Sequence, residues 1–263
     1  MFKGAKLRGP LRTNAFGALQ RWASPLAATL APAAVTRIPV LKSAKVIVLT
    51  IDDGPSSRTG EILDLLAKYG AEATHFVHTD QINESNTGLL QRMRREGHDI
   101  AHHMPRDEPS FLMSKAVFEA EFERAHRFLE GIGAKRFFRP AQGVFRPSVM
   151  DASLKKFGYD KPLGDAHAAR YVLSSFIPWD AGGITNSSNV QFNDRIARQY
   201  ADQLLNVVFP GAIVIFHDGE GGGRAARLAA SITSLERFLT GLKESGFRAL
   251  SLASAISTMS VEK

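Results

Sequence analysis

The sequence predicts an α/β fold, a distorted (β/α) barrel of about seven strands, and three observations carry that prediction. From residue 45 onward, short apolar runs rich in β-branched residues alternate with amphipathic stretches of 10–20 residues, the pattern of βα units and a parallel sheet. About seven such units occupy about 210 residues, the scale of a barrel-like domain. Several of the strands also end in Asp, His or Arg, where an α/β barrel gathers its chemistry.

The elements follow in order. "KVIVLTI" (45–51) is a continuous apolar run that suits a buried parallel strand. "RTGEILDLLAKYG" has helical spacing at Ile62, Leu65, Leu66 and Tyr69, with Gly70 as its C-terminal cap. "ATHFV" (73–77) reads as a strand, "TGLLQRMRREG" (87–97) as a helix and "HDIAHH" as a short strand. A long amphipathic helix over 114–133 is followed by a strand at "KRFFRP" (135–140) and a helix over 147–158. "YVLSSFIPW" (171–179) reads as a strand, 193–208 as a helix and "GAIVIFHD" (211–218) as the clearest late strand. A helix over about 224–245, the strand "FRALSL" and a short terminal helix complete the pattern. There is no internal repeat, and "GEGGG" (219–223) reads as a mobile loop.

Composition narrows the function. The 263 residues are 44% hydrophobic and 22% charged, ordinary for a globular protein with a sizeable core. With no cysteine, a metal ion here must use His, Asp or Glu, and thiolate catalysis is excluded. The formal charge of +7 is unevenly spread. Residues 1–51 hold eight basic residues and no acid, and the rest of the chain holds 25 basic and 26 acidic residues. The body is therefore close to neutral, which argues against a nucleic-acid surface. The basic N-terminal segment ends in small residues, "WASPLAATLAPAAVT" (22–36). It reads as a secretion signal toward the cell envelope, an organellar transit peptide or a poorly ordered leader. Its apolar run is too short to span a membrane. Residues 1–43 are accordingly set apart as leader from a domain over 44–263.

Five strand ends carry the polar residues: "TIDDGPS", "HDIAHHMPRDEP", "RPAQG", "IPWDA" and "HDGEG". One such turn is ordinary, but five at equivalent positions would all face one mouth of the barrel. Their order resembles the polysaccharide deacetylases of carbohydrate esterase family 4, the NodB-homology domain. "TIDDGP" is close to that family's "TFDDGP", "GHDIAHH" is similar to "GHEIGNH", "FRPAQG" to "FRPPYG", and "GAIVIFHD" to the family strand ending in Leu-x-His-Asp. The resemblance runs from about residue 44 to 257.

The resemblance implies metal-assisted hydrolysis of an N-acetyl group on an amino sugar, in a polymer or oligomer of chitin or peptidoglycan type. It makes Asp52 the general base, Asp53 and His103 metal ligands, Arg139 the residue that orients the base and keeps it ionised, and His217 the general acid. Asp107 falls where the family has its second metal histidine. Four residues from His103, it is the expected third ligand, with Glu108 as the competing one. Pro105 and Pro109 make that segment an irregular loop. A divalent ion is implied, Zn²⁺ first, and the carboxylate-rich set also suits Mn²⁺, Co²⁺ or Fe²⁺.

Gln142 stands where the family tyrosine lends a backbone N–H to the developing oxyanion, a role indifferent to the side chain. Ile215 and Phe216 are expected to wall the acetyl pocket, and Trp179 either stacks on a sugar face or is buried. Pro178 replaces the usual Asp before the tryptophan, so Asp180 is the candidate partner of the acid histidine. His98 and His102 are read as packing or orienting residues, and His75, His78, His126 and His167 as ordinary surface or packing histidines. Two alternatives stay open: a decayed family member that binds glycans without cleaving them, and a deacylase of a small non-sugar amide. An aspartyl-phosphate phosphatase is disfavoured because its two aspartates would have to be separated by one residue.

Overall fold

The computed structural model describes residues 34–40, 44–143, 146–160, 171–175, 190–218 and 225–261. Along the chain run β1 (Ala34–Val35), β2 (Val46–Gly54), α1 (Thr59–Tyr69), β3 (Thr74–Val77), α2 (Thr87–Arg95) and β4 (Asp99–His102). Then come α3 (Lys115–Gly131), α4 (Pro147–Lys156), β5 (Tyr171–Val172), α5 (Val190–Val207), β6 (Ile213–His217), α6 (Ala225–Glu244), β7 (Arg248–Leu250) and α7 (Leu252–Val261). The alternation read from the sequence is therefore the architecture, with seven strands and seven α-helices among the described residues.

Parallel pairing runs β4–β3–β2–β6, and β7 lies against the first half of β2. The ring continues past β4 through an isolated parallel bridge between His102 and Phe138. The Val172 N–H then donates to the Phe138 carbonyl, β5 pairs with β1, and the Ser175 N–H donates to the Ile213 carbonyl on β6. The expected strand at 135–140 is thus a single bridged position, and the long strand expected over 171–179 is two residues among those described.

Part of the stretch read as leader belongs to this wall. Residues 34–38 close the ring: Val35 accepts from the Leu173 N–H, Arg37 bridges Ala212, and the buried Ile38 donates its N–H to the Gly211 carbonyl at 2.8 Å. Gly211 is required at that crossing. Its φ is 83°, and a Cβ there would lie 2.0 Å from the Ile38 carbonyl oxygen. Residues 1–33, the bulk of the leader reading, lie outside the described residues. No helix among the described residues is long and apolar enough to cross a membrane.

Strand alternation divides the core. Ile47, Leu49 and Ile51 of β2 face outward and pack with Ile62, Leu63 and Leu66 of α1 and with Phe238 and Leu242 of α6. Val46 and Val48 face inward with Phe76, Ala101, Ile213 and Leu250. Full burial of such a side chain contributes roughly 1.5–3 kcal/mol. Continuing along the inner face at a period of two, the next residues of β2 are Thr50 and Asp52. The barrel lining thus changes from apolar to polar toward the C-terminal ends of the strands. A third cluster, built from Phe118 and Phe122 of α3, Phe138, Met150 and Leu154 of α4, and Tyr171, seals the His102–Phe138–β5 side. Helix α3 begins at Ser114, whose hydroxyl caps the Val117 N–H.

Candidate functional site

Three consecutive strands deliver the centre. The β2–β3 register slips between Asp52 and Gly54, which makes Asp53 the extra residue of a bulge. Its φ of 69° is left-handed, a conformation rare outside glycine and most tolerable for Asp and Asn. This local strain lets two adjacent carboxylates, Asp52 and Asp53, both reach the mouth. The Gln81 amide, oriented so that its nitrogen faces acceptors, reaches the Asp53 and Pro55 carbonyls at 2.8 and 3.0 Å and steadies the turn. His78 is the first residue after β3, tied by its N–H to the Gly54 carbonyl at 2.9 Å. His103 follows β4, tied to the Val77 carbonyl at 3.3 Å.

The donor atoms of Asp53, His78 and His103 lie within 4.8 Å of one another, and all three residues are buried. His78 Nε2 and His103 Nε2 each stand 3.3 Å from Asp53 Oδ1. The imidazoles are oriented from behind. His103 Nδ1 is 2.8 Å from the Arg139 carbonyl, and His78 Nδ1 is 3.4 Å from the Met104 carbonyl. A carbonyl can only accept, so each Nδ1 carries a proton, and each Nε2 faces Asp53, as a donor in the imidazolium and as the lone pair a metal requires in the neutral ring. Two oriented imidazole nitrogens and one carboxylate oxygen converging on a point are a donor set, with outer support, that could hold a divalent metal ion.

The side chains of the cluster also act on one another's charges. Burial works against an ionised Asp53, but His103, His78 and the nearby His217 outweigh it and hold the carboxyl well below the usual carboxylate range. Burial alone would push His103 down, and Asp52 and Asp53 overcome it and raise the imidazole. Asp52 is 2% exposed, with Oδ2 3.6 Å from His103 Nε2. Its other oxygen accepts from Arg139 Nη1 at 2.5 Å. Arg139 lies inside the barrel, also 2% exposed, donating from Nη1 to Thr50 Oγ1 and from Nε to the Val172 carbonyl, both at 2.8 Å. Its guanidinium carbon stands 4.3 Å from the centre of the Phe76 ring. On the far side of β2, His217 is the register partner of Asp52 and is half-buried at the end of β6.

Asp52, Asp53, His103, Arg139 and His217 are therefore gathered at one mouth. Asp107 is not among them. After His103 the backbone turns outward at Met104, φ 67°, into an exposed network in which Arg106 pairs with Asp80 and with Glu108. Asp107 is exposed there, and the competing candidate Glu108 is held by Arg106 at 2.7 Å. The third residue of the cluster is instead His78, which the sequence reading put among ordinary histidines. The same strand-end argument applied to "ATHFVHTD" would have found it.

Phe216 also differs from expectation. Strand alternation turns it away from His217 into the layer between sheet and helices, 5.4 Å from the Phe238 ring. Ile215 shares the inner side with Ile213 and His217 and is 7% exposed. Gln142 is exposed in a tight turn with φ 58°. Trp179, Asp180 and the loop at 219–223 lie outside the described residues. His102 is a packing residue, stacked 4.2 Å from Phe122, with Nδ1 accepting from the Met104 N–H.

Asp218 carried no role in the sequence reading, yet it is fully buried beside the centre. It accepts from Ser56 Oγ at 2.7 Å and Thr59 Oγ1 at 2.6 Å, and its N–H donates to the Asp52 carbonyl at 2.7 Å. It therefore locks the turn that follows Asp53 to the strand that carries His217.

Comparison with known proteins finds relatives of the chain. Residues 41–162 match the family described as polysaccharide deacetylase. A chitooligosaccharide deacetylase of Rhizobium leguminosarum bv. phaseoli is 30% identical over 181 residues, 66% of this chain and 68% of that protein. A peptidoglycan-N-acetylglucosamine deacetylase of Bacillus cereus is 28% identical over 206 residues, 78% of this chain and 84% of its own. The chain spans only 29% of a bifunctional xylanase/deacetylase of Pseudobutyrivibrio xylanivorans. Among solved structures, the Xyl-CE4 domain of a multidomain xylanase from the hindgut metagenome of Trinervitermes trinervoides superposes with a TM-score of 0.63 at 25% identity, covering 82% of this chain and 91% of that one.

Proposed function

Since the chain belongs to the polysaccharide deacetylase family, we propose that it is a divalent-metal-dependent hydrolase that removes N-acetyl groups from an amino-sugar polymer or oligomer of chitin or peptidoglycan type. The observation that carries the reading is the convergence of Asp53, His78 and His103 beside the Arg139-held Asp52. Those three residues would hold the ion. Two imidazoles and one carboxylate suit Zn²⁺ first, with Mn²⁺, Co²⁺ or Fe²⁺ also accommodated. When bound, the ion supplies Lewis acidity toward the acetyl carbonyl and a more acidic water.

The chain's own residues supply the rest. Asp52 takes the proton of the attacking water, since its Oδ2 is turned toward the centre while its Oδ1 is anchored on Arg139. His217, the register partner of Asp52 across β2, is the candidate to protonate the leaving amine. The Gln142 backbone N–H is the candidate oxyanion donor, and Ile215 forms part of the acetyl pocket.

The test combines elemental analysis with acetate release from N-acetylglucosamine oligomers and peptidoglycan fragments, for wild type and Asp52→Asn. A bound ion and acetate release that falls by orders of magnitude in Asp52→Asn are expected. Metal-loaded wild type that releases no acetate from either substrate would overturn the reading.

A further inference from the structure

Thr50 lies two residues before Asp52 on β2, so both side chains face the barrel interior. It is fully buried. Its hydroxyl has a single hydrogen, given to the Val214 carbonyl on β6 at 3.0 Å. What the hydroxyl offers Arg139 is therefore a lone pair, and Arg139 Nη1 donates to it at 2.8 Å.

The guanidinium is unevenly engaged. Nη1 has two hydrogens, one on Thr50 Oγ1 and one on Asp52 Oδ1. Nε gives its hydrogen to the Val172 carbonyl, and the guanidinium carbon stands over the Phe76 ring. Nη2 is buried with no hydrogen-bond partner among the described residues. Arg139 thus meets Asp52 with one nitrogen on one oxygen. An arginine beside a carboxylate frequently makes two parallel bonds instead, one to each oxygen.

The single contact matters for the chemistry. Asp52 Oδ2 stays off the guanidinium and stands 3.6 Å from His103 Nε2. A second bond from Nη2 would occupy Oδ2, and a hydrogen bond to a carboxylate favours its ionised form, which makes it a weaker base. Val172 acts on Nε alone, and Phe76 acts on the face of the guanidinium. Thr50 is the residue that claims the second Nη1 hydrogen and so sets how the guanidinium is turned toward Asp52.

We propose, on the reading that Asp52 is the general base, that Thr50 is a positioning residue for the hydrolysis. Its hydroxyl, itself oriented by the Val214 carbonyl, keeps Arg139 on one oxygen of Asp52 and leaves the other free to take a proton. Without the hydroxyl, Arg139 turns until Nη1 and Nη2 hold both oxygens.

The test combines crystal structures, steady-state kinetics and metal affinity by chelator competition for Thr50→Val, Thr50→Ala and Thr50→Ser. Thr50→Val and Thr50→Ala both lack the hydroxyl and should show Nη2 bonded to Asp52 Oδ2. Their kcat for acetate release from N-acetylglucosamine oligomers should fall at least about tenfold, the scale of one hydrogen bond to a charged group, with KM and metal affinity within about twofold of wild type. Thr50→Ser keeps the hydroxyl and should restore both the single contact and kcat. If Thr50→Val does not fold, Thr50→Ala carries both measurements. The proposal is overturned if Arg139 stays on one oxygen of Asp52 without the hydroxyl, if metal affinity falls as much as kcat, or if Thr50→Ser behaves like Thr50→Val. A wild type that releases no acetate removes the proposed function, and the crystal structures still decide what Thr50 does to the pair.

Discussion

His78 and His103 lie stacked, ring centroids 4.7 Å apart and planes 26° from parallel, with both Nε2 atoms 3.3 Å from the same Asp53 oxygen. Each ring is fixed by a backbone carbonyl behind it. A histidine from the end of one strand thus stands beside a histidine from the end of the next, and the loop position four residues further on is left without a part in the cluster.

That arrangement separates two residues sharply. His78→Ala should lower metal affinity by more than the roughly 10–100-fold that loss of a residue supporting a ligand costs. Asp107→Ala should leave it within about twofold, since exposed loop positions act weakly. Metal content after dialysis against a graded chelator distinguishes the two. Retention in His78→Ala with loss in Asp107→Ala would return the third ligand to the loop.

Arg139 and Asp52 form a buried ion pair, each 2% exposed. Removing one partner of such a pair costs about 3–5 kcal/mol, because the other charge stays buried and alone. Arg139→Met should therefore lower the urea midpoint markedly, and Arg139→Met with Asp52→Asn should recover part of the loss. Arg139→Lys should not substitute, as an ammonium cannot reach Thr50, Asp52 and the Val172 carbonyl together.

Gly54 and Asp218 are in closer contact than any side chain would allow. A Cβ on Gly54 would lie 2.5 Å from Asp218 Oδ2, and Ser56 and Thr59 hold that carboxyl in place. Gly54→Ala is expected to cost about 1–3 kcal/mol through overpacking. In a double-mutant cycle, Asp218→Ala should relieve much of that cost. Additive costs, measured by chemical denaturation, would show that the carboxyl is free to move aside.

His75 gives a pH signature. It is 1% exposed with neither ring nitrogen hydrogen-bonded, and burial, helped by His98, pushes it down from 6.5 to about 3. A histidine with a depressed folded pKa contributes its full stability above pH 6.5. That contribution is lost as pH falls from 6.5 toward 3, because the unfolded chain takes up the proton first. The slope is about 1.4 kcal/mol per pH unit within that window. His75→Phe should remove it, giving a stability curve flatter by about one proton between pH 6 and 4. Unfolding by urea across that range checks the difference, and parallel curves for the two proteins would contradict it.

Much of this was legible in the chain. Continuous β-branched runs such as "KVIVLTI" and "GAIVIF" suit strands buried on both faces, and their alternation with amphipathic stretches gave the order of βα units. Asp52, Asp53, His103 and His217 were readable because each stands at a strand end or just beyond it, Arg139 because it follows the bridged Phe138, and their roles because the motifs around them resemble those of the family. The errors arose where a spacing rule was carried outside its element. A separation of four residues brings side chains together on a helix, but the segment from Met104 to Pro109 is a loop that swings outward. Phe216 was misplaced because adjacent strand residues face opposite sides.

The sequence by itself determined the alternating architecture and the identity of the polar strand ends, since both rest on local patterns of period two and 3.6. Only the tertiary structure decided that His78 completes the cluster, that Asp107 does not, and that residues 34–38 close the barrel against Gly211. Those outcomes depend on which strands become neighbours and in what register. The pairing of β2 with β3 and of β3 with β4 joins residues far apart in the chain, and no local pattern encodes that distance.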